Sequence, residues 1–327
     1  MRTRRGTKIL IVVTTLILVM VAIYSGLQIL ESAVFQPAPE TETVTTSKTI
    51  TRNGVRYFPR QDITVFLVMG IDEYGPVKDS MSYNNSGEAD VVLLAVFDET
   101  EKECRVLALN RDTMVDMPVL GLGGKQAGVR KAQLALAHTY GSGLEDSCEN
   151  VRRTLTNFIH GLTVDYYVAM NMDAIVVMND AVGGVTVNVT EDFSEVNPSI
   201  RMGEMTLMGQ QAIDYVRIRK DVGDQKNITR MDRHKGYIDG FLQAMRNKTE
   251  TDPEFLLTAY EKVAPYLVTD CSLETLGTLL NRYSDYTIAD TVMPEGENLI
   301  IDGHYQFFPD EEKLDALILD LFYRPKK

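Results

Sequence analysis

Three apolar runs decide the fold: ITVFLVMGID at 63–72, DVVLLAVFD at 90–98 and CRVLALNRD at 104–112. Val, Ile, Leu and Phe dominate them, and they are near-continuous rather than alternating, the pattern of strands covered on both faces. A buried central sheet is implied. Downstream, LEDSCENVRRTLTNFIHG (144–161) has helical spacing, opens on acidic residues and stops at Gly161 as a capped helix does. KAQLALAHTYG (131–141) shares the helical spacing. DYYVAMNMDAIVVMNDAVGGVTVNV (165–189) reads as strand, helix, Gly-Gly turn and strand, and the stretches MGQQAIDYVRIRK and MDRHKGYIDGFLQAMRNK read as helix, strand end and helix. Strands and helices alternate throughout, which predicts an α/β domain, layered α/β/α around its sheet. No linker interrupts the remainder, so residues 62–327 read as one domain.

Ahead of the sheet, residues 9–30 (ILIVVTTLILVMVAIYSGLQIL) contain no charge. At the helical rise of about 1.5 Å per residue they span roughly 33 Å, the thickness of a bilayer's hydrocarbon core. Arg2, Arg4, Arg5 and Lys8 precede this stretch and Glu31 follows it, so the positive-inside bias keeps residues 1–8 in the cytoplasm and exports the rest. The stretch exceeds a signal peptide's apolar region, and no clear A-x-A follows it. Residues 9–30 are therefore expected to be a single transmembrane helix in the cell membrane. Residues 31–61, rich in Pro, Thr and Glu, are expected to form an extracytoplasmic stalk.

The chain has 327 residues, 33 Lys and Arg against 46 Asp and Glu, and a net charge of -13. Setting aside the four N-terminal cations leaves 29 basic residues and a net of -17 for the exported part. Generic nucleic-acid binding is excluded, and an anionic ligand needs a local basic pocket. With 44% hydrophobic residues there is ample material for a core, which excludes wholesale disorder. Cys104, Cys148 and Cys271 are odd in number, so at most one intramolecular disulfide can form; buried thiols are the expectation.

Asp72 ends one strand and Asp90 begins the next, beside a Gly-containing loop; strand-end carboxylates of this kind serve as oxygen ligands for a Mg²⁺ that also touches phosphate, or simply as turn residues. In LNRDT (109–113), Arg111 leaves the sheet with a fork suited to phosphate, and Asp112 can orient it. Arg217 and Arg219 stand two apart in an expected extended segment, and Arg230 and Arg233 three apart on a helix. Five arginines at element ends suggest one anion pocket in an acidic chain. No G-x-S-x-G, H-E-x-x-H, Walker loop or G-x-G-x-x-G before a helix occurs, GLGGK (121–125) lacks the Ser or Thr of a phosphate loop, and the four His show no ligand spacing.

Taken in order, the apolar helix, the stalk, GID, the Asp opening a strand, LNRDT, K-x-x-x-A, DYYVAMNMDAI, AVGGVTVNV, QAIDYVRIR and R-x-x-R resemble the LytR-CpsA-Psr family over roughly residues 62–245. The tail segment IDGHYQFFPDEEKLDALI also fits it. The resemblance implies an α/β/α domain that takes a glycopolymer, teichoic acid or a capsular or wall polysaccharide, from a polyprenyl-pyrophosphate carrier and joins it to peptidoglycan through a phosphodiester. It implies Mg²⁺ (or Mn²⁺) on Asp72 and Asp90, pyrophosphate on Arg111, Arg217 and Arg219, with Arg230 and Arg233 matching the following R-x-x-R, and the lipid in an apolar groove against the sheet. Arg111, Asp112, Arg217 and Arg219 are then the catalytic set. Two departures stand out: Glu88 replaces an expected Arg, for which Lys131 or Lys78 could supply the charge, and His234 replaces an expected Gln. The loop from Asp72 to Glu88 also looks long. A non-catalytic envelope protein that binds polyprenyl lipid or glycan in the same groove is the alternative.

Overall fold

The computed structural model describes residues 49–120, 126–218, 222, 227–252, 255–272, 275, 278–279, 282–283 and 286–325. The apolar stretch 9–30 lies outside them, as does the stalk up to residue 48; among the described residues no helix is long and apolar enough to cross a membrane.

The three apolar runs form neighbouring strands, Ile63–Ile71, Ala89–Asp98 and Glu103–Leu109, paired antiparallel in that order. Tyr166–Asn171 adds parallel to Ile63–Ile71, and Thr287–Val292 adds parallel to Glu103–Leu109. Leu267–Thr269 closes the far edge antiparallel, giving a mixed sheet of six strands.

Side-chain alternation divides the sheet between two cores. Val65, Leu67, Met69, Leu94, Val96 and Tyr167 face helices Glu145–Phe158 and Glu311–Phe322, which contribute Val151, Leu155, Ile318 and Phe322. Phe66, Val68, Ala95, Phe97 and Val168 face the other way, where Tyr283 stacks on Phe97 at 4.4 Å and donates to the Thr64 hydroxyl at 2.6 Å. Both faces are covered over the middle of the sheet, as near-continuous apolar strands require. Cys104, Cys148 and Cys271 are buried and free, and burial pushes the Cys104 thiol up to about 12.

A third core forms a smaller lobe from helices Met172–Ala181, Gln210–Arg217, Asn227–Thr251 and Phe255–Val263 and the hairpin of Val185–Val189 with Gly203–Leu207. The expected Gly-Gly turn links its first helix and strand. Gly184 has φ +90° and lies so close to Leu207 that a Cβ would stand 2.9 Å from that carbonyl oxygen.

Two expectations change. KAQLALAHTYG is not a helix: Gln126–Gln133 pairs with Met114–Leu120 in a hairpin, and only Leu134–Ala137 coils, as one 3-10 turn. The apolar cluster Leu134, Ala135 and Ala137 is buried through this turn, so its spacing imitates a helix without the length of one. Arg217 is not on an extended segment either; it is the last residue of helix Gln210–Arg217, and the chain extends only from Ile218.

Candidate functional site at the sheet end

Because Ile63–Ile71, Glu103–Leu109 and Tyr166–Asn171 run one way and Ala89–Asp98 the other, Asp72, Asp90, Arg111 and Asn171 all fall at the same end of the sheet. The first two are held by backbone: the Asp72 N–H donates to the Glu88 carbonyl at 3.0 Å. A bulge there pairs Gly70 with Val91 but Ile71 with Ala89, so Asp90 is the extra residue, turned out of the ladder. Arg111 rides on a turn fixed by Asn110, whose side chain accepts from the Asp112 N–H at 2.9 Å while its carbonyl accepts from the Thr113 hydroxyl at 2.6 Å.

The guanidinium of Arg111 binds two carboxylates, Asp90 through Nη1 and Glu88 through Nη2, and its Nε is 3.8 Å from Asp112. Glu88 and Asp90 thus point to one side. Asp112 is steadied by Gln133, which donates to it at 2.9 Å and to the Tyr305 carbonyl at 2.7 Å. From the smaller lobe, Arg217 donates to Asp72 at 2.8 Å and to the Tyr74 hydroxyl, its guanidinium 5.6 Å from the centre of the Tyr74 ring. Asn171 caps helix Met172–Ala181 and donates to the Gly75 carbonyl, tying the loop after Asp72 to the sheet. The side chains of Asp72, Glu88, Asp90, Arg111, Asp112 and Arg217 are between a quarter and under a half exposed, so the cluster is open to a ligand.

Beside the cluster the sheet has an uncovered apolar strip. Gly70, Val91, Leu93, Ala108 and Met170 continue the alternation of Val68, Ala95, Val106 and Val168, yet Val91 is 47% exposed and Leu93 and Met170 are only partly buried. Gly70 keeps the strip flat, since a Cβ there would meet the Val91 Cβ at 3.1 Å.

Of the residues singled out from sequence, the structure brings together Asp72, Asp90, Arg111, Asp112 and Arg217. Arg233 sits elsewhere, buried in the smaller lobe. Its guanidinium pairs with Glu191 at 3.1 Å, donates to the Ile218 carbonyl at 2.6 Å and lies 5.4 and 5.8 Å from the centres of the Phe193 and Tyr215 rings. Lys131 stands opposite Asp116 in the hairpin and lines a separate cavity of about 190 Å³ with Asn157 and Phe158. Arg219 and the side chains of Arg230 and His234 lie outside the described residues. Sequence reasoning missed Tyr74 and Gln133. Tyr74 follows Asp72 by two and could have been noted; Gln133 was hidden by the helical reading of its hairpin.

Residues 31–321 match the model of the LytR_cpsA_psr family. A polyisoprenyl-teichoic acid–peptidoglycan teichoic acid transferase TagU from Oceanobacillus iheyensis is 26% identical over 270 residues, 80% of this chain and 75% of that protein. The TagU of Enterococcus faecalis is 26% identical over 284 residues, covering 86% and 84%. The crystal structure of Bacillus subtilis TagV superposes with a TM-score of 0.57 at 25% identity, over 80% of this chain and 96% of that one. A Streptococcus agalactiae protein shares the fold, with a TM-score of 0.60 at 22% identity over 80% and 86%.

Proposed function

This chain belongs to the LytR_cpsA_psr family, and from that premise we propose that it is a membrane-anchored extracytoplasmic transferase. It moves a glycopolymer of the teichoic acid, wall or capsular class from a polyprenyl-pyrophosphate carrier to peptidoglycan, leaving a phosphodiester between them. The observation that supports this reading is the meeting, at one sheet end, of two arginines with the strand-end carboxylates beside an apolar strip.

Pyrophosphate of the donor takes the place of the carboxylates on Arg111 and Arg217. An exposed ion pair is worth about 0–1 kcal/mol, whereas a hydrogen bond to a charged group contributes about 1.5–3 kcal/mol, so the exchange is favourable where several phosphate oxygens engage at once. Tyr74 and Asp112 hold the two guanidinia in place while partners change. The polyprenyl chain lies along Gly70, Val91, Leu93 and Met170. Transfer at phosphorus needs positioning and charge neutralisation rather than a covalent nucleophile, and this is what the cluster offers.

Asp72 and Asp90 fit a Mg²⁺ (or Mn²⁺). They are hard oxygen donors on adjoining strand ends and are accessible from solution. Among the described residues no three Asp, Glu, His or Cys converge into a complete shell, so phosphate oxygens would supply the remaining ligands. Such an ion would neutralise charge on the reacting phosphates.

Transfer of glycan phosphate from a polyprenyl-pyrophosphate donor to peptidoglycan, assayed with and without Mg²⁺, tests the reading. Metal-dependent transfer is expected. Donor binding without transfer at any metal concentration would instead make the chain a lipid- or glycan-binding envelope protein.

A further inference from the structure

A polar cavity of about 570 Å³ adjoins the cluster on the opposite face of the sheet from the apolar strip. Its floor is Ile71, Ala169 and Val268, which belong to the core beneath helix Glu145–Phe158. The strip residues alternate with the other core. The cavity's wall is the long loop that follows Asp72, with Glu73, Tyr74, Lys78, Asp79 and Asn84 among its lining.

The loop is fastened at several points. Asn85 donates to the carbonyls of His138 at 2.9 Å and Gly141 at 3.0 Å, and its amide oxygen accepts from the Gly87 N–H at 2.8 Å. The Gly75 N–H donates to Asp173 at 2.6 Å, and the Val77 N–H donates to the Pro265 carbonyl at 2.7 Å. The cavity is therefore preformed. Among its lining residues is the buried imidazole of His138. Nδ1 lies 2.8 Å from the Gly87 carbonyl, which can only accept, so Nδ1 carries the proton and Nε2 the lone pair. Nε2 is buried without a partner among the described residues, and burial keeps the ring neutral.

The lining offers carboxylates, amides, hydroxyls, an ammonium, the Tyr74 ring and the His138 imidazole over an apolar floor. This matches a sugar, whose hydroxyls donate and accept and whose ring faces are apolar. Position matters as much as chemistry. Glu73 and Tyr74 follow Asp72 directly, and Tyr74 also touches Arg217, so cavity and cluster share a wall. Displacement at phosphorus is in line, with the attacking oxygen opposite the leaving oxygen. A lipid phosphate that departs along one face of the sheet calls for a nucleophile arriving from the other.

We propose that this cavity is the acceptor subsite, holding a sugar of the acceptor glycan with one hydroxyl aimed at the glycan-side phosphorus. The proposal rests on the transferase reading above. In the step, the hydroxyl oxygen bonds to that phosphorus and the bridging P–O bond to polyprenyl phosphate breaks. The released phosphate monoester takes up the hydroxyl's proton. The length of the loop then sets which acceptor is admitted.

The test uses the full chain and the soluble disaccharide N-acetylglucosaminyl-N-acetylmuramic acid as probe, with binding read by saturation-transfer NMR and turnover by acceptor KM. Asn84→Trp fills the cavity from an exposed position, and Lys78→Ala removes its ammonium. Asn84→Trp is expected to abolish the disaccharide contact, raise acceptor KM at least tenfold and leave polyprenyl-pyrophosphate binding unchanged, and Lys78→Ala to weaken the contact and raise acceptor KM severalfold. Because the NMR contact does not depend on turnover, its loss in Asn84→Trp supports the subsite even where transfer is nil, the outcome that would overturn the transferase reading alone. Absence of disaccharide contact in the native protein, or an undiminished contact in both variants, overturns the subsite.

Discussion

Arg217 donates to Asp72 at 2.8 Å, and that bond joins the smaller lobe to the central sheet at the site. The two residues come from separate cores, so the spacing between a candidate metal ligand and a candidate phosphate ligand is set by how the lobes pack. Tyr74 braces the pair from the loop side.

Arg217→Ala should weaken polyprenyl-pyrophosphate binding by about 1.5–3 kcal/mol, the worth of a hydrogen bond between charged groups. Arg217→Lys should recover part of this, because the charge remains while the fork is lost. Thermal stability should barely move, since the pair is substantially exposed. Calorimetric titration with the lipid pyrophosphate checks the first two, and unchanged affinity in both variants would remove Arg217 from the pocket.

Much of this arrangement was legible in the sequence because strand ends announce themselves. The three apolar runs give the central strands to within three residues; Asp72 and Arg111 stand where the first and third runs stop and Asp90 where the second begins, so antiparallel neighbours bring all three to a shared sheet end. V-R-I-R alternates like a strand, but burial of Ala212, Ile213 and Tyr215 winds the stretch that ends at Arg217 into a helix. Only spacing in the sequence sets Arg233 beside the other arginines. What the sequence could not show is that Glu191, from a loop far away in the chain, neutralises it inside an aromatic core.

That burial gives Arg233 a distinct signature. Removing one partner of a buried ion pair typically costs about 3–5 kcal/mol, whereas replacing both by apolar groups can be neutral. Arg233→Ala should therefore lower urea stability by roughly that amount, and the double variant Arg233→Met with Glu191→Leu should recover most of it. A weakened donor affinity at full stability would instead place Arg233 in contact with substrate.

Arg60 links Asp62 at 2.9 Å and Asp98 at 2.5 Å, with Arg60 and Asp98 only 10% and 11% exposed. The hydrogen bond from Arg60 holds Asp62 well below the usual carboxylate range. Burial would raise Asp98, but Arg60 and the N–H groups of Glu101 and Thr100 outweigh it and lower that carboxyl too. Carboxyls with depressed folded-state values stabilise above their unfolded value near 4 and lose that contribution as pH falls through the folded value. Urea midpoints should accordingly drop below about pH 4, and Arg60→Ala should cost up to about 3 kcal/mol at pH 7 and flatten the drop. Arg52→Ala, which breaks the more exposed pair with Asp315, should cost under about 1 kcal/mol.

The orientation proposed from Arg2, Arg4, Arg5, Lys8 and the uncharged stretch 9–30 places everything after Glu31 outside the membrane. Protease added to intact cells stripped of wall should digest the domain beyond Glu31. Protection of that domain would overturn the orientation and the wall-glycan function with it.

Glu88 is where the chain departs most from the pattern it resembles, an acid in place of the usual Arg, and the structure places its carboxylate on the same guanidinium as Asp90. Arg111 has two arms, and with Glu88 on one of them only a single oxygen of Asp90 is engaged. Without Glu88, the fork would close bidentately on Asp90 and take both oxygens away from a metal. Glu88→Ala should then lower Mg²⁺ affinity and transfer by about tenfold, the equivalent of about 1.4 kcal/mol. Glu88→Arg should leave transfer measurable, because the new cation repels Arg111 from Asp90 and itself contacts phosphate. The non-catalytic alternative makes the opposite demand: Glu88 would block Arg111 permanently, the native chain would show no Mg²⁺-dependent transfer, and Glu88→Arg would create it. Release of glycan phosphate by the native chain and the two variants, with and without Mg²⁺, decides between them, since activity that appears only in Glu88→Arg would make Glu88 a block rather than a positioning residue.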